Sequence, residues 1–180
     1  LEAGALMEIE GKTAGYQKDL LENRIRVVQC AGLLHDIKRK SKNHAKQGAG
    51  RARSVLESYP LAPDEIEDVC RAIHNHEAFK NEIPINTAHG ALVSDCLYDA
   101  DKFRWGPDNF TDTLWDMISC YNPPLSKFMA RYSQGMEGLE KIKSTFRTKT
   151  GKKYGPLFID LGLAIGKKLY EVIQIEFSDC

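Results

Sequence analysis

A chain of 180 residues with 42% apolar and 28% charged side chains has the length and composition of one globular domain with a single core. Its 25 lysines and arginines cancel 25 acids, which argues against bulk nucleic-acid binding or attachment to an acidic membrane through net charge. No run approaches the ~20 apolar residues that cross a bilayer, no signal-peptide pattern opens the chain, and Cys30, Cys70, Cys96, Cys120 and Cys180 stand singly, as buried thiols of a reducing, cytoplasmic compartment would.

Apolar residues recur at three and four rather than at two, and prolines fall between the periodic blocks. The expected fold is therefore all-α, a single-domain bundle of about seven or eight helices. A first helix covers about Glu2 to Glu10 and stops at Gly11. The second runs from about Gln17 to Ile37, with Leu21, Ile25, Val28 and Gly32 on one stripe. A third spans about Asn43 to Ser58 and is halted by Tyr59-Pro60. "APDEIEDVCRAIHNH" opens the fourth, with Pro63 in the first turn and acids at the positive end of the dipole. After the "NEIPIN" loop a fifth covers about Thr87 to Arg104, broken by Gly106-Pro107. "TDTLWDMISCY" makes a sixth, about Leu125 to Phe146 a seventh, and "GPLFIDLGLAIGKKLYEVIQIEF" the last. Gly151 to Gly155 read as a flexible loop able to touch phosphate, and Trp105 and Trp115 as core residues.

Several polar residues fall on faces that should pack inward. At ~100° per residue His35 lies about 20° from Val28, and Asp36 follows it at the edge of the stripe, where an ionised carboxylate needs a partner or a cation. His44 shares the packed side of its helix with Gly48, Arg51 and Val55, and Gly48 and Gly50 leave room for a close approach. In the fourth helix His76 lies about 20° from Val69, whereas His74 points nearly the opposite way, so His76 is preferred. Asp101 shares a face with Leu97 and Ser94, Asp99 one with Leu92 and Cys96, and periodicity does not choose between them. His89, after the "INTA" helix start, is expected at the surface. Nitrogen and oxygen donors gathered from four helices suit a borderline divalent ion.

Taken in chain order, "LLHDIKR", "NHAKQGAGRARSVL", "IEDVCRAIHNHE" and "LYDADKF" resemble the HD domain superfamily of metal-dependent phosphohydrolases, over about Gln29 to Phe103. The resemblance implies that His35 and Asp36 are the metal-binding doublet and that Asp101, followed by Lys102, is the final aspartate ligand. These three are then the catalytic residues. It further implies that His44 and His76 correspond to the additional histidines that hold a second metal or the substrate phosphate in some branches. A divalent cofactor (Mn, Fe, Co, Ni, Mg or Zn), a metal-activated water, and a phosphomonoester or nucleotide substrate follow from the same likeness. Residues 1–108 would form the HD-type metal-binding core and 109–180 a helical extension packed on it. Two departures stand out. The family's first histidine ligand precedes the doublet, and no histidine occurs from Leu1 to Gln29, so that ligand is expected upstream or is missing. The frequent "HDIGK" is here "HDIKR", which keeps positive charge beside the doublet. A catalytically impaired HD-type module that binds a nucleotide or a partner protein is the alternative.

Charge is unevenly spread in this neutral chain. Seven lysines and arginines and no acid lie between Lys38 and Arg53, and six more, again without an acid, between Lys141 and Lys153. The first cluster adjoins the proposed metal, so Lys42, Lys46 and Arg51 are the candidate substrate contacts, able to focus potential on phosphate oxygens. The second reads as an exposed helix end. Only Phe146 interleaves either segment, so the stacking platform of a single-strand nucleic-acid binder is not expected.

Overall fold

The computed structural model describes residues 1–177. Among them are eight α-helices and no strand: α1 (Glu2–Thr13), α2 (Lys18–Leu34), α3 (His44–Leu56), α4 (Pro63–His74), α5 (Ala88–Phe103), α6 (Leu114–Tyr121), α7 (Leu125–Ile142) and α8 (Lys149–Glu176), with a π-helical turn at Asn109–Thr113. The chain is all-α, as its periodicity requires. None of the described helices is long and apolar enough to cross a membrane. Two compact units are formed, one from Leu1–Asp101 with Arg147–Gly151, the other from Lys102–Phe146 with the segment from Lys152 onward.

In the first unit α1 packs on α2, and α4 on both α2 and α3. Met7, Val27, Val28, Ala31, Ala52, Val69 and Ile73 of these helices are wholly buried, as are Val93 and Cys96 of α5. The α2 stripe carries one charge into this core: Arg24 Nη1 donates to Asp68 Oδ2 at 2.8 Å, with Nη2 3.6 Å from Glu65 Oε1. Removing one partner of such a buried pair leaves the other uncompensated, so it fixes the α2/α4 alignment. Helix α4 starts as its sequence predicts, with Pro63 in the first turn and Glu65 Oε2 accepting the Ala62 N–H at 2.8 Å, which satisfies a donor that the helix cannot.

Several helix ends differ from the periodic reading: α1 runs through Gly11 to Thr13 and α7 stops at Ile142, short of Phe146, and two further ends position the site. Helix α2 stops at Leu34 instead of continuing to Ile37. Successive three-residue turns follow, with Ile37 N–H donating to Leu34 O, Arg39 to Asp36 O and Ser41 to Lys38 O. Helix α4 stops at His74, so His76 lies beyond it. Apolar spacing does not mark these ends because His35 and Asp36 after α2, and Asn75 to Glu77 after α4, remain buried or half-buried while the backbone has left the helix.

The 141–153 segment departs further from expectation. Helix α8 begins at Lys149, so Gly151 to Gly155 are helical, not a flexible loop, with Pro156 inside the helix. Its start is anchored by Asp99, which is wholly buried and accepts from Arg147 N (2.9 Å), Thr148 N (2.8 Å) and Thr148 Oγ1 (2.7 Å). Arg147 is not an exposed basic residue either: its guanidinium sits 3.6 Å over the Tyr98 ring.

In the second unit Phe103 meets Phe146 and Phe158, at ring centroid distances of 5.1 and 5.4 Å. Gly162 lets α8 approach the Gly106 backbone, where a Cβ would stand 2.6 Å from the Gly106 carbonyl oxygen. Tyr132 donates its hydroxyl to Gly166 O at 2.8 Å, tying α7 to α8. Trp105 is half-buried and Trp115 is 41% exposed. Instead of filling a core, the Trp115 indole donates to Phe110 O at 2.8 Å. Among the described cysteines Cys70 and Cys96 are buried and Cys30 half-buried, all free thiols; Cys120 is free but exposed. Cys180 lies outside the described residues.

Candidate metal centre

Turns and helix ends of the first unit, not helix interiors, carry the polar cluster. His35 follows α2, and its ring is oriented by Nδ1, 2.7 Å from Gly32 O. Asp36 comes next in the turn. Asn43 adopts the left-handed conformation (φ 56°) that turns the chain into α3, and His44 is the first residue of that helix. His76, 2% exposed, places Nδ1 2.6 Å from Ile73 O. Asp101 is in the last turn of α5. In His35 and His76 the Nδ1–H donating to a carbonyl fixes the tautomer and leaves Nε2 to face the cluster, the usual arrangement of a metal-binding imidazole.

Asp36 is the hub. Its Oδ1 lies 3.6 Å from His44 Nε2 and 3.7 Å from His76 Nε2, and those two nitrogens are 3.2 Å apart. Ligands held tetrahedrally at ~2.1 Å from one ion are ~3.4 Å apart, so Asp36, His44 and His76 are spaced to hold a metal ion. The other carboxylate oxygen, Oδ2, is 3.6 Å from His35 Nε2, which is in turn 3.7 Å from Asp101 Oδ1. Three of the five residues singled out in the sequence as metal ligands, His35, His44 and His76, therefore surround the carboxylate of a fourth, Asp36, and the fifth, Asp101, adjoins His35. The tightest triad is Asp36, His44 and His76, with His35 on the opposite oxygen and Asp101 behind His35. His35 Nε2 is buried and makes no hydrogen bond, an orphan atom of the sort that a cation satisfies.

Electrostatics agree with this geometry. Burial would raise the Asp36 pKa, but the His76 ring beside it, the charge of His35 and Arg39, and that of His76 outweigh it and bring the value down to about 2. Burial opposes charge on His35, yet the Asp101 carboxylate, the Gly32 carbonyl and Asp36 more than compensate and hold its pKa above the ordinary imidazole value. His44 moves the other way. Burial depresses it, Glu77 restores only part, and His76 lowers it further.

Two supporting residues, Glu77 and Asn75, escaped the sequence reading, while a third, Gly48, was read from it. Glu77 Oε1 is 3.7 Å from His44 Nδ1; its adjacency to His76 in "HNHE" was the available signal. Asn75, 3% exposed, clamps the loop that carries His76 and Glu77, its Nδ2 donating to Ile83 O (3.0 Å) and its Oδ1 accepting from Ile83 N (2.9 Å). Gly48, buried on α3, is the point where the His35 carbonyl comes closest, 3.2 Å from where a Cβ would be. Gly50, its companion in the sequence reading, has open space around it.

Lys42, Lys46 and Arg51 are exposed and form no side-chain hydrogen bond or ion pair with the cluster. Arg39 does touch it, with Nη1 3.5 Å from Asp36 Oδ1. His89 is exposed as expected, bonded through Nδ1 to the Tyr16 hydroxyl at 2.8 Å. His74 stays outside the cluster, with Nδ1 3.4 Å from Asn75 Oδ1. Compared with family models, curated proteins and solved structures, the chain matches none.

Proposed function

We propose that this chain is a metal-dependent phosphohydrolase of HD type that acts on a phosphomonoester or nucleotide. The observation that carries the reading is the convergence of three imidazoles, His35, His44 and His76, on the two oxygens of Asp36, with Asp101 beside His35. A depressed carboxylate pKa and an unsatisfied buried imidazole nitrogen fit a cation at this point and serve no purpose in an apolar core. The donor set, imidazole with carboxylate, favours Mn, Fe, Co, Ni or Zn over an ion that prefers oxygen alone.

When bound, such an ion lowers the pKa of a coordinated water and polarises a phosphoryl oxygen. The chain contributes the rest. Asp36, His44 and His76 would hold the ion, with His35 on the other Asp36 oxygen, and Gly32 and Ile73 carbonyls hold the His35 and His76 rings in register. Arg39 brings a guanidinium to the rim of the cluster, where it can neutralise charge on a phosphoryl group. Lys42, Lys46 and Arg51, displayed on the same basic segment, attract the anion from solvent.

The test is metal loading followed by a substrate panel. The chain, stripped and reloaded separately with Mn²⁺, Co²⁺, Ni²⁺ and Zn²⁺, is expected to retain an ion after gel filtration and to hydrolyse at least one phosphomonoester or nucleotide. Asp36→Ala is expected to abolish both. Metal retention without turnover on any substrate would replace the hydrolase with a ligand-binding module, and absence of metal retention would end the reading altogether.

A further inference from the structure

Helix α8 has two apolar faces. One packs within the second unit, where Ile159 and Leu163 are buried and Gly155 and Gly166 lie against the Phe146 and Phe110 rings. The other faces outward. On it Tyr154, Phe158, Leu161, Ile165 and Val172 are each 39–57% exposed, although a surface helix ordinarily turns charged residues away from its core. Leu157 and Ala164 are exposed beside them, so the apolar strip is continuous and not a scatter of single residues.

Spacing says what such a strip can pack against. Together with Lys168, these residues recur at alternating steps of four and three from Tyr154 to Val172, the repeat that keeps one helix in register along another. Half an aromatic side chain is about 100 Å², so the five half-exposed seam residues and Leu157 present on the order of 600 Å² per copy. Two copies would bury ~1,200 Å², which reaches the range of specific interfaces.

The order of residues identifies the partner. Aromatic residues stand at the start of the seam, branched aliphatic ones in the middle, and Lys168 and Val172 at the end. Laid antiparallel on itself about an axis midway between Leu161 and Ile165, the seam sets Tyr154 on Val172, Phe158 on Lys168 and Leu161 on Ile165, each contact made twice as two-fold symmetry requires. Each aromatic ring then meets a smaller or flexible side chain, and the Lys168 ammonium, which lies 3.0 Å from Glu171 Oε2 at the rim, can also reach an aromatic face. Ala164, next to the axis, lets the backbones come close. A parallel pair would instead press Tyr154 on Tyr154 and Lys168 on Lys168, a like-charge contact inside the seam.

We propose that the chain forms an antiparallel dimer through this face of α8, a second copy of the chain being what covers it. The proposal is independent of the metal reading.

The test is sedimentation velocity of the full chain in reductant over a concentration series, where a reversible monomer–dimer equilibrium is expected. Leu161→Glu should weaken the dimer by about 100-fold or more, because two-fold symmetry buries the introduced charge twice. Leu161 is exposed, so the melting temperature of the dilute variant should match that of the dilute parent. Direction is read from two more changes. Tyr154→Lys and Val172→Glu should each weaken association, and the double variant should recover at least about tenfold over either, since the introduced charges meet only in antiparallel copies. A monomer at every concentration, a dimer untouched by Leu161→Glu, or a double variant without recovery would overturn the proposal. So would a chain that stays monomeric and instead co-sediments with anionic phospholipid vesicles.

Discussion

His44 and His76 point their Nε2 atoms at each other across 3.2 Å. With His76 Nδ1 already bonded to the Ile73 carbonyl, a neutral His76 offers only a lone pair at Nε2, and His44 must answer it with a proton or share a cation. Asp36 Oδ1, within 3.7 Å of both, completes a triangle too polar to be stable in isolation at a half-buried position. Replacing either histidine with alanine should therefore reduce divalent-ion affinity by at least about 100-fold, since loss of an oriented ligand exceeds the 10- to 100-fold usual for loss of the group that orients it. Isothermal titration with Zn²⁺ or Mn²⁺ checks this. An unchanged affinity in both variants would show that the ion, if any, sits elsewhere.

Gly48 separates positioning from stability. A methyl group there would stand 3.2 Å from the His35 carbonyl and 3.5 Å from Ile73 Cγ2, pressing on the turn that carries His35 and Asp36 and on the residue whose carbonyl orients His76. In α3 itself alanine is preferred over glycine by up to ~1 kcal/mol, which offsets the contact. Gly48→Ala should leave the melting temperature of the metal-free chain nearly unchanged while lowering metal affinity about tenfold. If affinity is untouched, the close approach of α3 to the turn has no part in setting the donor geometry.

The link between α3, which starts with His44, and α4, which ends near His76, also depends on charge. Glu67 on α4 accepts from Arg71 Nε (2.6 Å) and pairs with Arg53 of α3. Hydrogen bonds from Arg71 and then Arg53 outweigh the opposing effect of burial and hold its pKa below the usual 4.5. A depressed folded-state carboxylate pKa contributes stability that is complete above the unfolded value and vanishes as pH falls through the folded one. Glu67→Gln should thus be less stable than the parent at neutral pH, by a modest amount because the side chain is 39% exposed, and the two denaturation midpoints should draw together as pH falls below the ordinary value of 4.5. A constant gap across that range would assign the effect to packing.

How much of this was legible can be read from His76 and Asp99. The periodic analysis preferred His76 over His74, and the structure does bury His76 in the cluster, but for a different reason: α4 has ended before it, and the Asn75–Ile83 clamp turns it inward. Asp99 and Asp101 were indistinguishable by phase because both lean toward packed surfaces, one toward the start of α8 and the other toward His35. Helix content and most apolar positions follow from spacing, since each helix must bury a stripe. Glu77, Asn75 and Arg39 do not, because their partners lie across turns whose geometry depends on backbone contacts far apart in the chain. The unexpected helical start of α8 is of the same kind: glycines and lysines read as a loop until a buried carboxylate from another segment caps them.

Asp99 supplies the clearest test of that anchoring. Its carboxylate is wholly buried and accepts three hydrogen bonds, from Arg147 N, Thr148 N and Thr148 Oγ1, and Thr148 Oγ1 in turn accepts the Gly151 N–H at 2.8 Å. Asp99→Ala would leave three donors without partners beside a cavity. At ~1–3 kcal/mol for each unsatisfied group, a loss of more than about 3 kcal/mol is expected in urea unfolding. Gly151→Ala approaches the same contact from the other side, because a Cβ there would overlap Asp99 Oδ2, and it should destabilise comparably while leaving every hydrogen-bonding group in place. Since Asp101, not Asp99, faces His35, the folded fraction of both variants should keep its metal affinity. A change in stability below about 0.5 kcal/mol in both would show that the start of α8 is held by something other than this carboxylate.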